Sequence, residues 1–295
     1  MLDYTRVHGV LVIDKPSGPT SHDIVTKARR LFQTKVGHTG TLDPIATGVL
    51  PLVIGSTTRL ARFFQSVDKE YIAEIVLGET TDSFDREGTI THTKTVPEFS
   101  PKEIDQVLAK FRGDIQQQPP MFSAVKVGGK KLYELARRNQ EVERPWRTVS
   151  IHRLHLIGRT KYSWTVKVHC SAGTYVRSLA HEIGQTLNCG AYLQNLRRIR
   201  SGSFELNRAV SVEKMDTNWQ TVFYPMEELL PELPRVDLNV DQFERVQHGN
   251  CITVVCNLTT KFCRLFYDDN LIAIGRIVPS AQIQPTIVLR ASQKV

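Results

Sequence analysis

Residues 37–51, GHTGTLDPIATGVLP, constrain the chain more than any other stretch. Three glycines, two prolines and three threonines interrupt an apolar run. The stretch shows neither the period of an amphipathic helix nor a clean strand alternation. It reads as an ordered loop with short extended pieces. It carries one carboxylate, Asp43, and one imidazole, His38. One acid in a stiff, glycine-flanked loop beside apolar walls suits chemistry in a sheltered pocket. Equally, Asp-Pro pairs form turns in which the Asp side chain caps its own backbone. On local grounds both readings stand.

Several chemistries do not fit. A P-loop needs a Lys after its last glycine, and none follows Gly48. The glycines do not follow the G-x-G-x-x-G spacing of a dinucleotide site. His38 and Asp43 are too few for a local metal site. A glycosidase normally works with two carboxylates, and a second would have to come from a distant segment.

The flanking sequence alternates strands and helices. HGVLVIDKPSG reads as a strand over 8–14 running into a Pro-Gly turn, followed by a helix, SHDIVTKARRLF, with Ser21 as its N-cap. STTRLARFFQS reads as a short helix and KEYIAEIVLG as a β-branched strand ending at Gly78. SPKEIDQVLAKFRG is the clearest helix: Ser100 caps it, Pro101 opens it, Glu103 closes a capping box and Gly113 ends it. Residues 148–173 read as two alternating strands with a turn near Gly158–Lys161, and TYVRSLAHEIGQTLNCG as an amphipathic helix with Gly190 at its C-terminus. PMEELLPELPRV marks a boundary. Beyond it the short apolar runs CITVVC, KFCRLFY, LIAIGRIV and PTIVL suggest a small β-barrel or sandwich.

Hydrophobic residues make up 41% of the 295, enough for a packed core. No apolar run approaches the roughly 18 residues that a membrane helix needs. The opening MLDYTRVHGV contains Asp3 and lacks the basic and apolar regions of a secretory leader. A soluble, cytoplasmic protein without membrane association is the expectation. The five cysteines include no C-x-x-C pair, so buried free thiols are expected rather than zinc ligands. The net charge is +8 and the pI about 9.3, which suggests a polyanionic partner. Residues 126–153 hold eight Lys and Arg against three Glu, and LRRIR at 196–200 adds three arginines. A solvated basic face is the plainer alternative.

GHTGTLDPIATGVLPL closely resembles the active-site segment of the bacterial tRNA pseudouridine synthase family, often called TruB, that modifies uridine-55 in the T-loop. GVLVIDKPSGPTSHDIV, DKEY at 68–71, TDSFDREG at 81–88, PPMFSAVKVGGKKLYELARR, CSAGTYVRSLAHEIG and AYLQNLRR complete the set in order. The likeness covers 8–200 well; 233–290 resemble the family's small RNA-binding domain of PUA type more weakly. Related guide-RNA-dependent enzymes share the LDP core but carry longer extensions, so the stand-alone bacterial type is expected.

The resemblance implies an α+β fold. A catalytic domain over 1–232 would be built on a central, mainly antiparallel mixed β-sheet flanked by helices and loops. An RNA-gripping loop would span 121–149, and a β-rich PUA-like domain 233–295. It implies a monomer with tRNA as partner, through the T-arm, and neither an obligate protein partner nor a cofactor or metal. Asp43 would be the catalytic carboxylate, and Arg177, read as a mid-helix residue, its bidentate partner, reversing the rise that burial imposes on its pKa. Tyr71 would stack on the flipped base. Leu196, read on a helix, would wall the pocket, and His38 would hold the disrupted T-loop. Lys15, Arg59, Lys126, Lys130 and Lys131 would contact phosphate, with Gly128–Gly129 as a hinge, and Asp85 would orient RNA or the catalytic loop. A non-catalytic RNA-binding protein and a carboxylate-dependent sugar hydrolase are the competing classes.

Overall fold

Two alternation patterns build the sheet that carries the site. In KEYIAEIVL, residues 69, 71, 73, 75 and 77 are buried and the intervening ones half-exposed, the period-2 signature of a sheet covered on one face. In GVLVIDK nearly every residue is buried, as in a strand covered on both faces. The computed structural model of the chain describes residues 7–138, 140–254, 260–279 and 282–289.

The chain runs β1 (Gly9–Lys15), α1 (Ser21–Phe32), β2 (Val36–His38), β3 (Thr47–Ile54), a 3-10 turn leading into α2 (Ala61–Gln65), and β4 (Lys69–Leu77). A hairpin follows, β5 (Glu79–Thr81) and β6 (Ile90–Thr93), then α3 (Pro101–Ala109), β7 (Gly113–Gln117), the short hairpin β8 (Lys126–Val127) and β9 (Lys130–Lys131), and α4 (Leu132–Ala136). Next come β10 (Arg147–Arg159), β11 (Ser163–Cys170), α5 (Val176–Thr186), β12 (Ala191–Ser201), β13 (Phe204–Glu205), β14 (Val210–Ser211) and β15 (Phe223–Pro225). The last part contains β16 (Arg235–Asp237), α6 (Val240–Gln247), β17 (Ile252–Thr253), β18 (Phe262–Tyr267), β19 (Asn270–Val278) and β20 (Gln282–Val288).

The central sheet has the order β14-β1-β3-β12-β4-β11-β10-β7, with β2, β13 and β15 on its flanks. Its pairs are antiparallel except β1 with β14 and β3 with β12, so the sheet is mixed and mainly antiparallel. Helices α1, α3 and α5 contribute Ile24, Phe32, Ile104, Leu108, Leu179 and Ile183 to a core with Leu50, Ile75, Trp164 and Val166 of the sheet. The opposite face of β1 and β3, through Val10, Val12, Val49 and Val53, packs on Phe266, Leu271 and Ile274. These last three belong to a second sheet of order β16-β18-β19-β20-β17. Burial on both faces explains the unbroken apolar run of β1.

Several local expectations need correction. Thr20, not Ser21, caps α1, because Asp23 completes its capping box. Residues 37–51, expected as a loop with short extended pieces, end in a full strand, since β3 begins at Thr47 and runs to Ile54. Helix α3 ends at Ala109, and Gly113 (φ +88°) starts β7 instead of closing the helix. AYLQNLRR lies on strand β12, so Leu196 is a strand residue. Cys170, Cys189 and Cys263 are buried as expected, Cys251 is only half-buried, and Cys256 lies outside the described residues. CITVVC contributes only Ile252–Thr253 as strand among those residues.

Candidate active site

The loop between β2 and β3 is held from beneath by buried side chains. Lys15 is fully buried, and its ammonium donates to the carbonyls of Ala46 (2.8 Å), Pro16 (3.0 Å) and Pro44 (3.3 Å). Burial pushes its pKa down to about 8. Ser21, at the start of α1, donates its hydroxyl to Leu42 O and accepts from Leu42 N–H, both at 2.8 Å. Arg198, on β12, donates to Gly40 O at 2.9 Å and Val49 O at 2.7 Å. Gly48 (φ +98°) crosses so close to β12 that an added Cβ would stand 2.1 Å from Arg198 O. Only glycine fits there. The Asp43-Pro44 pair does form a turn, closed by Ala46 N–H donating to Asp43 O at 3.0 Å. The turn uses the backbone, which leaves the Asp43 carboxylate to other partners.

That carboxylate meets Arg177. Arg177 lies in the first turn of α5, not mid-helix, and is 4% exposed. Its Nε stands 3.0 Å from Asp43 Oδ2 and its Nη1 3.2 Å from Asp85 Oδ2. Nη1 also reaches Ser83 O at 3.4 Å, and Nη2 donates to Phe122 O at 2.8 Å. The expected bidentate pair is therefore a single contact, because the guanidinium is shared between two carboxylates and two carbonyls. Burial drives the Asp43 pKa up, Arg177 draws it down, Asp85 raises it again, and Lys15 and Arg198 lower it; the net direction is upward. The cation tempers the effect of burial and does not reverse it. Although enclosed enough for this, Asp43 keeps 36% of its side chain open to solvent.

Asp43 stands where two clefts meet. One, of about 340 Å³, is lined by His38, Tyr71, Arg177, Leu196 and Arg198. The other, of about 680 Å³, is lined by His22, Asp82, Glu87, Phe122 and Arg137. Tyr71 on β4 lies opposite Arg198 in the β4–β12 register. It is almost fully buried, and that burial raises its pKa while the neighbouring Arg198 charge lowers it. His38 borders both clefts, and its Nδ1 has no hydrogen-bond partner among the described residues. Burial lowers its pKa, so it enters as a neutral imidazole. The sequence-expected trio Asp43, Tyr71 and Arg177, with His38 and Leu196, thus converges on one cavity. Such an arrangement can place a flat base beside an aromatic ring and a sugar beside one carboxylate.

The remaining expected contacts divide. Lys15 cannot reach a phosphate, since every polar direction of its buried ammonium is taken by carbonyls. Asp85, also buried, accepts from Ser83 Oγ at 2.6 Å and Glu87 N–H at 3.1 Å, braces Arg177 and lines the larger cleft. Arg59 is exposed, and its guanidinium donates to Val288 O, tying the 3-10 turn after β3 to β20. Lys126 and Lys130 are exposed on β8–β9. Lys131 is half-buried, its ammonium 3.3 Å from the Tyr133 hydroxyl. Gly128 and Gly129 (φ +57° and +82°) form the two-residue turn of this hairpin, the left-handed pair a type I′ connection requires. The pair reads as a turn in place of a hinge. Sequence reasoning missed Arg198 and Lys69. Lys69 lines the cavity, and its ammonium donates to Gln65 O at 2.8 Å and Val67 O at 2.5 Å. Both sit in motifs that were noticed, LRRIR and DKEY, but charge in a sequence does not reveal which way it points.

Residues 29–176 match the TruB family pseudouridylate synthase (N terminal domain), and 177–232 match the tRNA pseudouridylate synthase B C-terminal domain. The tRNA pseudouridine synthase B of Solibacter usitatus is 41% identical over 95% of this chain and 99% of its own length. That of Dechloromonas aromatica is 43% identical over 92% of each chain. Among solved structures, a Cbf5-Nop10-Gar1 complex aligns with 26% identity and a TM-score of 0.72 over 98% of this chain and 85% of the other. An archaeal box H/ACA sRNP Nop10-Cbf5 complex, at 24% identity and a TM-score of 0.73 over 98% and 88%, shares the fold. The chain belongs to the TruB family of pseudouridylate synthases.

Proposed function

We propose that this chain is a tRNA pseudouridine synthase that isomerises uridine-55 in the T-loop of tRNA, with Asp43 as its catalytic carboxylate. The observation that carries the reading is Asp43, the only carboxylate among the described residues lining the smaller cleft, braced by Arg177 at 3.0 Å and facing the same cleft as Tyr71. The reaction breaks C1′–N1, turns the uracil and forms C1′–C5; C5 loses its proton and N1 ends protonated. An ionised Asp43 serves this by attack on C1′, by addition to C6 or by removal of the C2′ proton, and no water need enter. The target base must leave its stack to reach such a cavity, and the Tyr71 ring gives it a surface. Lys126, Lys130 and Lys131 lie on the segment 121–149, which grips the T-arm through its phosphates. Residues 1–232 act as the catalytic domain and 233–295 as a PUA-like RNA-binding domain. The protein works as a cytoplasmic monomer without an obligate protein partner. No helix among the described residues is long and apolar enough to cross a membrane.

A hydrolase would need a second working acid. Asp85 is the nearest candidate in the structure, and Ser83, Glu87 N–H and Arg177 occupy its oxygens. The test is product mapping on a T-arm stem-loop incubated with purified protein. Pseudouridine at position 55 is the expected product. Free uracil with an abasic site would establish hydrolysis, and binding without either product would leave an RNA-binding protein.

A further inference from the structure

Away from the cavity, on the open face of the central sheet, three side chains from distant parts of the sequence converge: Asp68, His152 and His169. Asp68 Oδ2 lies 3.2 Å from His152 Nε2 and 3.6 Å from His169 Nε2, and the three donor atoms all lie within 4.8 Å of one another. A β-bulge makes this possible. The β10–β11 register slips between Ile151 and Arg153, so His152 and Arg153 are exposed in succession. In an unbulged strand these neighbours would point to opposite faces, and a bulge re-aims a side chain in this way. His169 comes from β11 and Asp68 from the residue before β4.

We propose that Asp68, His152 and His169 form a binding site for a divalent transition-metal ion of the zinc class. Two imidazoles and a carboxylate are a donor set that such ions accept. Ligand bonds of about 2.0–2.1 Å in a tetrahedral site put donor atoms roughly 3.3–3.4 Å apart. The two Asp68 separations lie on either side of that spacing, whereas the two imidazole nitrogens, within 4.8 Å of each other, must close by up to about 1.4 Å to reach it. The side chains of Asp68 and His152 are 44% and 39% exposed and that of His169 21%, which gives an ion an entry path and leaves a coordination position for water. One feature opposes the ion. Arg200 Nη2 stands 3.2 Å from His169 Nε2, but it also donates to Glu70 Oε1 at 2.8 Å. Arg200 therefore keeps an anchor when His169 turns to metal, and its charge makes this site weaker than a four-ligand structural zinc site. The ion would clamp β10, β11 and the lead into β4. The same segments continue into the cavity wall through Lys69 and Tyr71 on one side and Ser171, Gly173 and Thr174 on the other.

The site is tested on the full chain after chelator treatment. Cobalt(II) is titrated for its visible absorption, and zinc(II) in competition with a fluorescent chelator. One equivalent is expected to bind, raising the thermal midpoint. His152→Ala and His169→Ala should each weaken binding by about tenfold or more, within the range that ligand-shell changes produce. These positions are exposed enough to keep the fold, and the metal-free thermal midpoint checks this. Should either alanine variant fail that check, Asp68→Asn reports the same loss. Arg200→Gln should tighten binding several-fold by removing the opposing charge. The proposal is overturned by the absence of stoichiometric binding to the wild type, or by unchanged affinity in the ligand variants.

Discussion

Two basic regions of this molecule use their charge in opposite ways. Beneath the loop 39–46, Lys15 and Arg198 are buried, and their donors are spent on the carbonyls of Gly40, Pro44, Ala46 and Val49. Along 121–146, Lys126, Lys130, Arg137 and Arg138 are exposed, and the segment is pinned by Leu132 and Leu135 and by Tyr133 N–H donating to Ser123 O. The buried cations shape backbone; on the proposed function the exposed ones meet phosphate. Rate should therefore depend on the first region and affinity on the second. A loop whose carbonyls are already satisfied holds Asp43 without reorganising, which is how electrostatic preorganisation is achieved.

The sharpest break in that division would come from Arg177. Arg177→Ala should lower the single-turnover rate at saturating RNA by roughly 10³-fold, because Asp43 loses both its cation and its orientation. Arg177→Lys should recover only part, since one ammonium cannot span Asp43, Asp85 and Phe122 O together. Near-normal turnover in the alanine variant would dissolve the Asp43–Arg177 pair. Arg198→Met tests whether the buried cation shapes the loop. It leaves the carbonyls of Gly40 and Val49 without their donors, and chemical denaturation should show a loss of roughly 2–4 kcal/mol. RNA affinity in the folded fraction should change little.

Protonation gives a smaller but directional effect. The folded Asp43 pKa is raised, so the rate should climb with pH through a midpoint above the ordinary carboxylate value of about 4. The linked stability has the opposite sense. A proton binds the folded state more tightly, so this contribution is complete below the ordinary value and is lost as pH rises through the folded pKa. Asp43→Asn should thus unfold at neutral pH no earlier than the wild type, and an earlier thermal midpoint would contradict the direction of the shift. The smallest effect belongs to the exposed region. Lys130→Ala with Lys131→Ala should flatten the salt dependence of binding by up to two contacts, at roughly 0.7–0.9 log units each. The loss should be alike for different stem-loop sequences. An unchanged slope would make 121–149 a solvated surface, and a lost rate at saturation would erase the division between the two regions.

The same division explains what the sequence could disclose. Strands β1, β4, β10 and β11 and helix α3 were legible because alternation and a capping box are local signals. Thr20 and Ser21 are both hydroxyl residues, and only the reciprocal bonds with Asp23 choose between them. Strand β12 was not legible, because LQNLRRIR carries long polar side chains whose burial depends on the carbonyls of β3 and the loop. Lys15 was misread for the same reason, since its partners are set by the way the chain returns at residues 44 and 46. Asp43, Tyr71 and Arg177 were picked out through motif order, and the structure places them on one cavity, whereas the sharing of Arg177 with Asp85 needed three dimensions. The Pro-rich boundary near 225–236 suggested separation, yet Val10 and Val12 on β1 share a core with Phe266 and Ile274. Asp68, His152 and His169 had no readable spacing, since a bulge and three strands bring them together.

On the proposed function, one carboxylate, placed by a prebuilt loop, performs the isomerisation while other residues hold the RNA. Asp43→Asn tests it most directly, with pseudouridine at position 55 and stem-loop affinity measured on the same preparation. The expected result is no detectable pseudouridine and an affinity close to that of the wild type. Substantial pseudouridine formation by the asparagine variant would contradict it.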